Sequence, residues 1–301
     1  MVDLVPYDEM SMFHENAAEF GIRYDCAPVV RRTSVEVDPG RRLSALVWGE
    51  GQPEFVFLHG GAQNAHTWDT VALALDRPLV SLDLPGHGHS DGGRHGSLDV
   101  SANAQDIAVA MQELAPAARV VVGMSLGGMT ALALADAHPD LVRALALIDI
   151  TPGVNRDKST AISNFVNGPE TFDSFDALLA RTIEHNPTRT VASLRRGILH
   201  NALQRPDGSW VWRYRRLEEP SGAPDFSALW DVIGRLTVPL LLVRGMRPQS
   251  VVDDADEAEL LKRNPLATVV HIAEAGHSVQ GDTPVELATL LAEFALPGRT
   301  D

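Results

Sequence analysis

The sequence predicts an α/β fold: a doubly wound, mostly parallel sheet with a helical cap inserted between two of its strands. From residue 54 onward, short continuous apolar runs alternate with helical stretches, as buried parallel strands and their crossover helices do. A hairpin pattern precedes these runs. One long interruption, between Ile150 and Leu236, differs in composition from the rest and marks the insertion.

Size and composition indicate a globular protein. The 301 residues suffice for one large domain or for a core with an insertion. Hydrophobic residues make up 45% and charged residues 22%, so the chain can bury a core and is unlike disordered sequences. The single cysteine, Cys26, excludes an internal disulfide, so folding needs no oxidising compartment.

Charge and hydropathy restrict the partners. A net charge of −15 disfavours nucleic acid and anionic membranes, whose binding depends on clustered Lys and Arg. Residues 1–20 are acidic and lack the basic-then-apolar order of a signal peptide. Apolar runs such as residues 240–243 are far shorter than the ~20 residues of a membrane span. We expect a cytoplasmic protein with a small-molecule substrate, no nucleic-acid partner and no membrane span. The sequence leaves open whether the chain forms a homo-oligomer.

The elements follow one another regularly. An acidic N-terminal extension, residues 1–30, is predicted to be helical in part. Residues 33–37 and 43–48 surround the turn sequence Asp38-Pro39-Gly40, which predicts an antiparallel hairpin. Buried strands are predicted at residues 55–58, 79–82, 120–122, 144–148, 240–243 and 268–272. Helices are predicted at residues 70–75, 101–114, 127–137, 254–262 and 284–294. Ser101 is a candidate N-cap.

The insertion supplies a cap. We place the core at residues 31–150 and 237–298 and the cap at residues 151–236. The cap holds most of the tryptophans and several phenylalanines. Such residues above a crevice at the strand ends would suit a substrate with an apolar group, or they could form the core of the cap itself.

A serine lies between glycines where a strand runs into a helix. Residues 120–128 read Val-Val-Val-Gly-Met-Ser-Leu-Gly-Gly, which puts Ser125 in a Gly-x-Ser-x-Gly motif. The turn is strained, and glycines remove the Cβ atoms that would collide there, so the hydroxyl is exposed at a helix N-terminus. We therefore expect Ser125 to be a nucleophile.

A glycine pair follows the strand at residues 55–58. The sequence His59-Gly60-Gly61-Ala62 has the place in chain order from which a backbone N–H can point at Ser125. With the N–H of Leu126 it would form an oxyanion hole. Gly61 is the predicted donor and Ala62 the alternative, while His59 is expected to brace the loop.

Two more loops contain histidines. His87 and His89 lie in a Gly/Pro-rich loop, residues 83–90, with no further ligands at metal spacing, so we expect a structural loop and no metal. His277 follows the last strand, far downstream of the serine. From there an imidazole can take the serine proton and return it to a leaving group, which makes His277 the candidate general base.

These segments, in this order, resemble the α/β-hydrolase superfamily, in particular its bacterial branch of esterases and carbon–carbon bond hydrolases. The resemblance covers about residues 30 to 296. It implies Ser125 as nucleophile, His277 as base, and the backbone of Gly61 and Leu126 as oxyanion hole.

The acid of the expected triad is displaced. The superfamily usually has an Asp after the strand at residues 240–243, where this chain has Ser250. A neutral serine could orient an imidazole but could not stabilise its charged form. We favour Asp149, because other members carry the acid after that earlier strand. Asp253 or Asp254 is the alternative, although carboxylates there suit the start of the next helix.

These residues favour a serine hydrolase that cleaves a carboxylic ester through an acyl-enzyme, without a cofactor. One alternative is hydrolysis of a carbon–carbon bond in a vinylogous diketone by the same triad. Another is a non-catalytic small-molecule binder, since hormone-receptor relatives use the fold for recognition. The intact Ser125 and His277 favour catalysis, and only Ser250 favours a binder.

Overall fold

Strands predicted from the sequence form the centre of the molecule. The structure, a computed structural model, describes residues 4–94, 98–154, 164–186, 189–215 and 225–296. Its strands are β1 (Val30–Asp38), β2 (Arg41–Trp48), β3 (Phe55–Leu58), β4 (Leu79–Leu82), β5 (Val120–Met124), β6 (Leu145–Ile148), β7 (Thr171–Phe172), β8 (Ala202–Gln204), β9 (Trp210–Trp212), β10 (Leu240–Gly245) and β11 (Thr268–Ile272).

Eight of these strands form one sheet in the order β1-β2-β4-β3-β5-β6-β10-β11. Strands β1 and β2 are the predicted hairpin, and β2 pairs antiparallel with β4. The remaining pairs are parallel, for example Phe57 beside Val122 and Leu242 beside Leu147. The predicted doubly wound, mostly parallel sheet is confirmed.

The α-helices of the described ranges include the five with predicted bounds, each within one residue of those bounds at either end. They are α1 (Phe13–Phe20), α2 (Asp69–Leu75), α3 (Val100–Leu114), α4 (Leu126–Ala137), α5 (Phe175–His185), α6 (Val191–Asn201), α7 (Leu229–Arg235), α8 (Asp254–Arg263), α9 (Val279–Asp282) and α10 (Pro284–Phe294). Ser101 as N-cap was wrong: Asp99 caps α3, accepting the N–H of Ala102 at 2.9 Å. None of the helices in the described ranges is long and apolar enough to cross a membrane.

Apolar side chains cover both faces of the sheet. Along β3, Val56 and Leu58 join one cluster, with α3 and α4, while Phe55 and Phe57 join the other, with α2 and α10. This alternation follows from the period of two in a strand. The continuous apolar run of β3 is therefore buried on both sides, as its sequence predicted.

The cap contains more than the predicted helices. Its described parts include α5, α6 and a three-stranded antiparallel sheet in the order β7-β9-β8. Strands this short carry too few residues for a readable alternation. Trp210 packs edge-on against Phe175, and Trp212 against Phe172, so these four aromatics contribute to the core of the cap itself.

The N-terminal extension joins the cap to the core. Glu9 forms an ion pair with Arg32 of β1 at 2.5 Å. Further along, α1 meets α6, where the buried Arg196 binds Asn16 at 2.8 Å and pairs with Glu15 and Glu19. Residues for which the sequence indicated no role thus hold two parts of the fold together.

Candidate active site

All the predicted site residues lie just beyond strand ends. Gly61 follows β3, Ser125 follows β5, Asp149 follows β6 and His277 follows β11. Parallel strands end at the same edge of a sheet, and crevices there bind ligands in open α/β folds. The topology therefore collects residues from distant parts of the chain at one edge.

Ser125 sits on a sharp turn between β5 and α4. Its backbone has φ 51° and ψ −119°, a conformation that residues other than glycine rarely adopt. A Cβ at Gly127 would lie 2.2 Å from the carbonyl oxygen of Leu58, and one at Gly123 would lie 2.5 Å from the carbonyl oxygen of Gly127. Both glycines are needed for the close packing that presents the serine.

Asp149 is fully buried and holds four hydrogen-bond donors. Its Oδ1 accepts the N–H of Gly245 at 2.9 Å and the hydroxyl of Ser250 at 2.6 Å. Its Oδ2 accepts the N–H of Val251 at 3.0 Å and lies 3.0 Å from Nδ1 of His277. Both oxygens are saturated, so the carboxylate is fixed in one orientation.

The contact with Asp149 sets the tautomer of His277. An ionised carboxylate only accepts hydrogen bonds, so Nδ1 carries the hydrogen and Nε2 keeps a lone pair. The alternative acids point elsewhere. Asp253 caps α8, and Asp254 is exposed and pairs with Arg244 at 2.7 Å. Their predicted place at the start of a helix is confirmed.

Backbone strain is concentrated at this edge of the sheet. In the described parts of the chain, four residues other than glycine have positive φ, and three of them are Ala62, Ser125 and Asp149. Such conformations cost about 1–3 kcal/mol each and persist only where the surroundings enforce them. The strain coincides with the residues that the sequence singled out.

The loop after β3 lies against Ser125. A Cβ at Gly60 would be 3.3 Å from Cβ of Ser125, whereas one at Gly61 would meet no atom within 4 Å. The N–H of Gly60 donates to Oε1 of Gln63 at 3.0 Å, and the N–H of Ala62 donates to Nε2 of His87 at 3.1 Å. Ala62, the alternative oxyanion donor, is therefore engaged, and the side of Gly61 is open.

Two buried histidines brace this loop in their neutral form. His59 donates from Nδ1 to the carbonyl of Gly60 and accepts the N–H of Leu84 at Nε2. Burial lowers the pKa of His59, and burial together with the nearby His59 lowers the pKa of His87 to about 3. Neutral His87 can accept from Ala62, so both rings serve as fixed hydrogen-bond partners.

A second polar cluster lies between core and cap. His66 is 2.8 Å from Asp69 and 3.0 Å from Glu9. Burial alone would lower its pKa, but the charge of Asp69 and hydrogen bonds to both carboxylates raise it to about 9. Its ring stacks on His200 of α6 with centroids 3.7 Å apart.

The His66, Asp69 and His200 donor atoms all lie within 4.8 Å of one another, a spacing that a metal ion would also require. The two rings are within 12° of parallel, so their in-plane lone pairs do not converge on a common point. An imidazolium held between two carboxylates and stacked on a neutral imidazole accounts for the geometry.

An apolar patch of the cap touches the loop after β3. Ala62 packs with Val166 and Tyr214, and Phe165 and Trp212 lie against the same cluster. These aromatics reach the loop beside Ser125, whereas Phe172, Phe175 and Trp210 pack within the cap. Phe226 and Trp230 lie against the core cluster that contains α3 and α4.

The fold and this constellation define the class of protein. Residues 55–290 match the model of the alpha/beta hydrolase family, and the chain belongs to that family. It is similar to esterase Rv0045c of Mycobacterium tuberculosis, at 42% identity over 296 residues and 96% of each chain. A solved structure of that esterase comes from work on its inhibition by transition metals. It superposes on this chain with a TM-score of 0.86 at 40% identity, and the match covers 96% of this chain and 99% of the other.

A more distant relative is 2-(acetamidomethylene)succinate hydrolase of Mesorhizobium japonicum. It is 29% identical over 260 residues, which cover 83% of this chain and 91% of the relative. A solved structure of a hydrolase for that substrate has a TM-score of 0.78 at 25% identity, covering 88% of this chain and 99% of the other.

Sequence reasoning missed the residues that support the site. Ser250 was recognised as a departure from the family pattern, but its bond to Asp149 was not foreseen. Asn64 and Asn201, which contact each other and the loop after β3, carry no motif and lie far apart in the chain. Their role is visible only in the contacts that they make in the folded chain, so the sequence offered no means of finding them.

Proposed function

We propose that the chain is a serine hydrolase that cleaves a carboxylic ester, with Ser125, His277 and Asp149 as its catalytic triad. The observation that carries this proposal is the bond from His277 Nδ1 to Asp149, at the sheet edge where Ser125 is presented on its strained turn. The esterase named among the relatives supports the same reaction.

In the proposed mechanism His277 Nε2 takes the Ser125 proton while the serine oxygen attacks the ester carbonyl carbon. The tetrahedral intermediate collapses, the carbon–oxygen bond to the alcohol breaks, and His277 gives its proton to the departing alcohol. Water then attacks the acyl carbon and gives a proton to His277. The carbon–oxygen bond to Ser125 breaks, His277 returns that proton to the serine oxygen, and the acid is released. Asp149 stabilises the imidazolium in both steps.

The oxyanion would be held by backbone donors. Leu126 begins α4, so its N–H lies at the positive end of a helix dipole, next to the serine. Gly61 is the second donor we propose, because the neighbouring N–H groups of Gly60 and Ala62 are engaged. One such donor is worth about a hundred- to a thousandfold in rate.

The substrate we propose has an apolar acyl or alcohol group. Support comes from the apolar cap patch of Phe165, Val166, Trp212 and Tyr214. This patch contacts Ala62 in the loop after β3, residues 59–62, which we call the oxyanion loop.

We also propose a division into an N-terminal extension at residues 1–30, a core at residues 31–150 and 237–298, and a cap at residues 151–236. A cytoplasmic location and a homo-oligomer stay predictions.

The test is hydrolysis of p-nitrophenyl esters from acetate to decanoate by wild type and by Ser125→Ala, with fluorophosphonate labelling of both. We expect wild-type turnover that rises toward medium chains, and loss of both turnover and labelling in the variant. Ser227→Ala, a serine of the surface segment before α7, is the matched control.

Each alternative gives a different result. A carbon–carbon bond hydrolase would turn over a vinylogous diketone faster than any ester of the series. A binder would neither turn over nor label, and either result would overturn the proposed reaction. Faster cleavage of acetate than of octanoate would refute the apolar substrate alone.

A further inference from the structure

We propose that Asn201, the last residue of cap helix α6, positions the oxyanion loop and so couples the cap to transition-state stabilisation. The inference rests on the proposed function. It concerns a positioning residue, because Asn201 acts on the carbonyl of Ala62 and not on the substrate.

Asn201 is the cap residue that binds the loop backbone. Its Nδ2 donates to the carbonyl oxygen of Ala62 at 2.7 Å. On the other side of the same residue, the Ala62 N–H donates to His87. Ala62 has φ 60°, so its peptide groups are held in a strained orientation from both sides. The peptide that carries the Gly61 carbonyl and the Ala62 N–H is thereby fixed next to the Gly61 donor.

The direction of this bond is determined by a relay of amides. The N–H of His66 donates to Oδ1 of Asn64 at 2.9 Å, which leaves Nδ2 of Asn64 to donate to Oδ1 of Asn201 at 3.0 Å. The Nδ2 group of Asn201 must then face Ala62. The relay therefore has one consistent arrangement, with a donor opposite a carbonyl at every step.

The C-terminal end of α6 is itself anchored. The carbonyl of Asn201 accepts the N–H of Arg213, beside β9. The preceding residue, His200, stacks on His66 and contacts Tyr7 at 2.9 Å. A movement of the cap at this point would pull directly on Ala62, so the position of the cap and the geometry of the hole are linked.

An isosteric charge change tests the role. Asn201→Asp keeps the size and the acceptor for Asn64 but turns a carboxylate oxygen toward the Ala62 carbonyl. The control is Asn186→Asp, another cap asparagine, whose Nδ2 donates to the carbonyl of Thr182 at 2.9 Å within α5. For each variant we would measure kcat, KM and melting temperature, and the Ki of an aryl boronic acid, which forms a tetrahedral serine adduct.

For Asn201→Asp we expect kcat to fall about ten- to a hundredfold and the boronic acid Ki to rise by a similar factor, with KM changed less than about threefold. The control should match wild type. Asn64→Asp, which breaks the same relay from the core side, should show the same pattern. If Asn201→Asp does not fold, Asn201→Ala, which adds no charge, is measured in its place.

Equal kcat in Asn201→Asp and Asn186→Asp would overturn the inference while leaving the proposed function intact. So would a lower kcat with unchanged boronic acid affinity, because an altered hole must affect both. A wild-type protein that hydrolyses no ester and binds no boronic acid would instead refute the proposed function.

Discussion

Asp149→Asn is the substitution whose effect the structure defines most closely. Each carboxylate oxygen of Asp149 accepts one backbone N–H, from Gly245 on one side and from Val251 on the other. An amide has a single acceptor oxygen. Whichever way the asparagine turns, its NH₂ group faces a backbone N–H, so one buried donor loses its partner.

Both orientations also impair the histidine. If the NH₂ group faces His277, Nδ1 must accept, the ring hydrogen moves to Nε2, and the base can no longer take the serine proton. If the oxygen faces His277, the tautomer is kept but the negative charge that stabilises the imidazolium is lost. Loss of an equivalent carboxylate lowers kcat by about 10⁴ in serine proteases, which corresponds to about 5.5 kcal/mol at about 1.4 kcal/mol per tenfold.

We therefore expect Asp149→Asn to lower kcat for a p-nitrophenyl ester by about 10³- to 10⁴-fold. An unsatisfied buried donor should also lower the free energy of unfolding by about 1–3 kcal/mol, measured by urea denaturation. The matched control is Asp254→Asn, because Asp254 was the alternative candidate acid and its exposed carboxylate lies at the start of α8. More than a tenth of wild-type kcat in Asp149→Asn, or equal losses in both variants, would refute this assignment of the acid.

Three further substitutions test the surroundings of the site. Ser250→Ala removes one of the four donors to Asp149 and should lower kcat only about three- to thirtyfold, since the others remain; a loss as large as that of Asp149→Asn would contradict this. The pKa of His66 is raised from 6.5 to about 9, so its charged form stabilises the fold fully below pH 6.5, and this contribution is lost as the pH rises through about 9. His66→Gln should flatten the fall in melting temperature across that interval, and exposed His14→Gln should leave the slope as in wild type. Arg196→Met leaves Glu19 without its buried partner and should lower the free energy of unfolding by about 2–4 kcal/mol, seen as a melting temperature about 3–6 °C lower. Its exposed neighbour Arg195→Met should change the melting temperature little; similar values for the two would show that the N-terminal extension does not stabilise the cap.

Local signals made the core and Ser125 predictable. The turn at Ser125 depends on a strand, two glycines and a helix that are contiguous in the sequence, so pattern alone defines it. The continuous apolar runs of β3 and β4 predicted strands buried on both faces, and their bounds are as predicted. Where the cause of a structure is local, the sequence reports it.

The supporting residues depend on distant contacts. Asn201 binds Ala62 across 139 positions of the chain, and His277 binds Asp149 across 128. The second pair was foreseen only because a family resemblance suggested it. The short strands of the cap form because they pair with each other, and two or three residues cannot show a period, so a helical cap was expected where a small sheet is also present.

The contacts of Ser250 show why the acid can follow β6 instead of β10 and still reach His277. Strands β6 and β10 are parallel neighbours, with Ile148 beside Val243, so their ends open onto the same space. The carboxylate of Asp149 reaches across to the N–H of Gly245 at the end of β10, and the Ser250 hydroxyl fills the remaining position on the same oxygen. A carboxylate from either strand would meet His277 there. The serine that alone favoured a binder is instead a hydrogen-bond donor to the acid, so its presence agrees with catalysis.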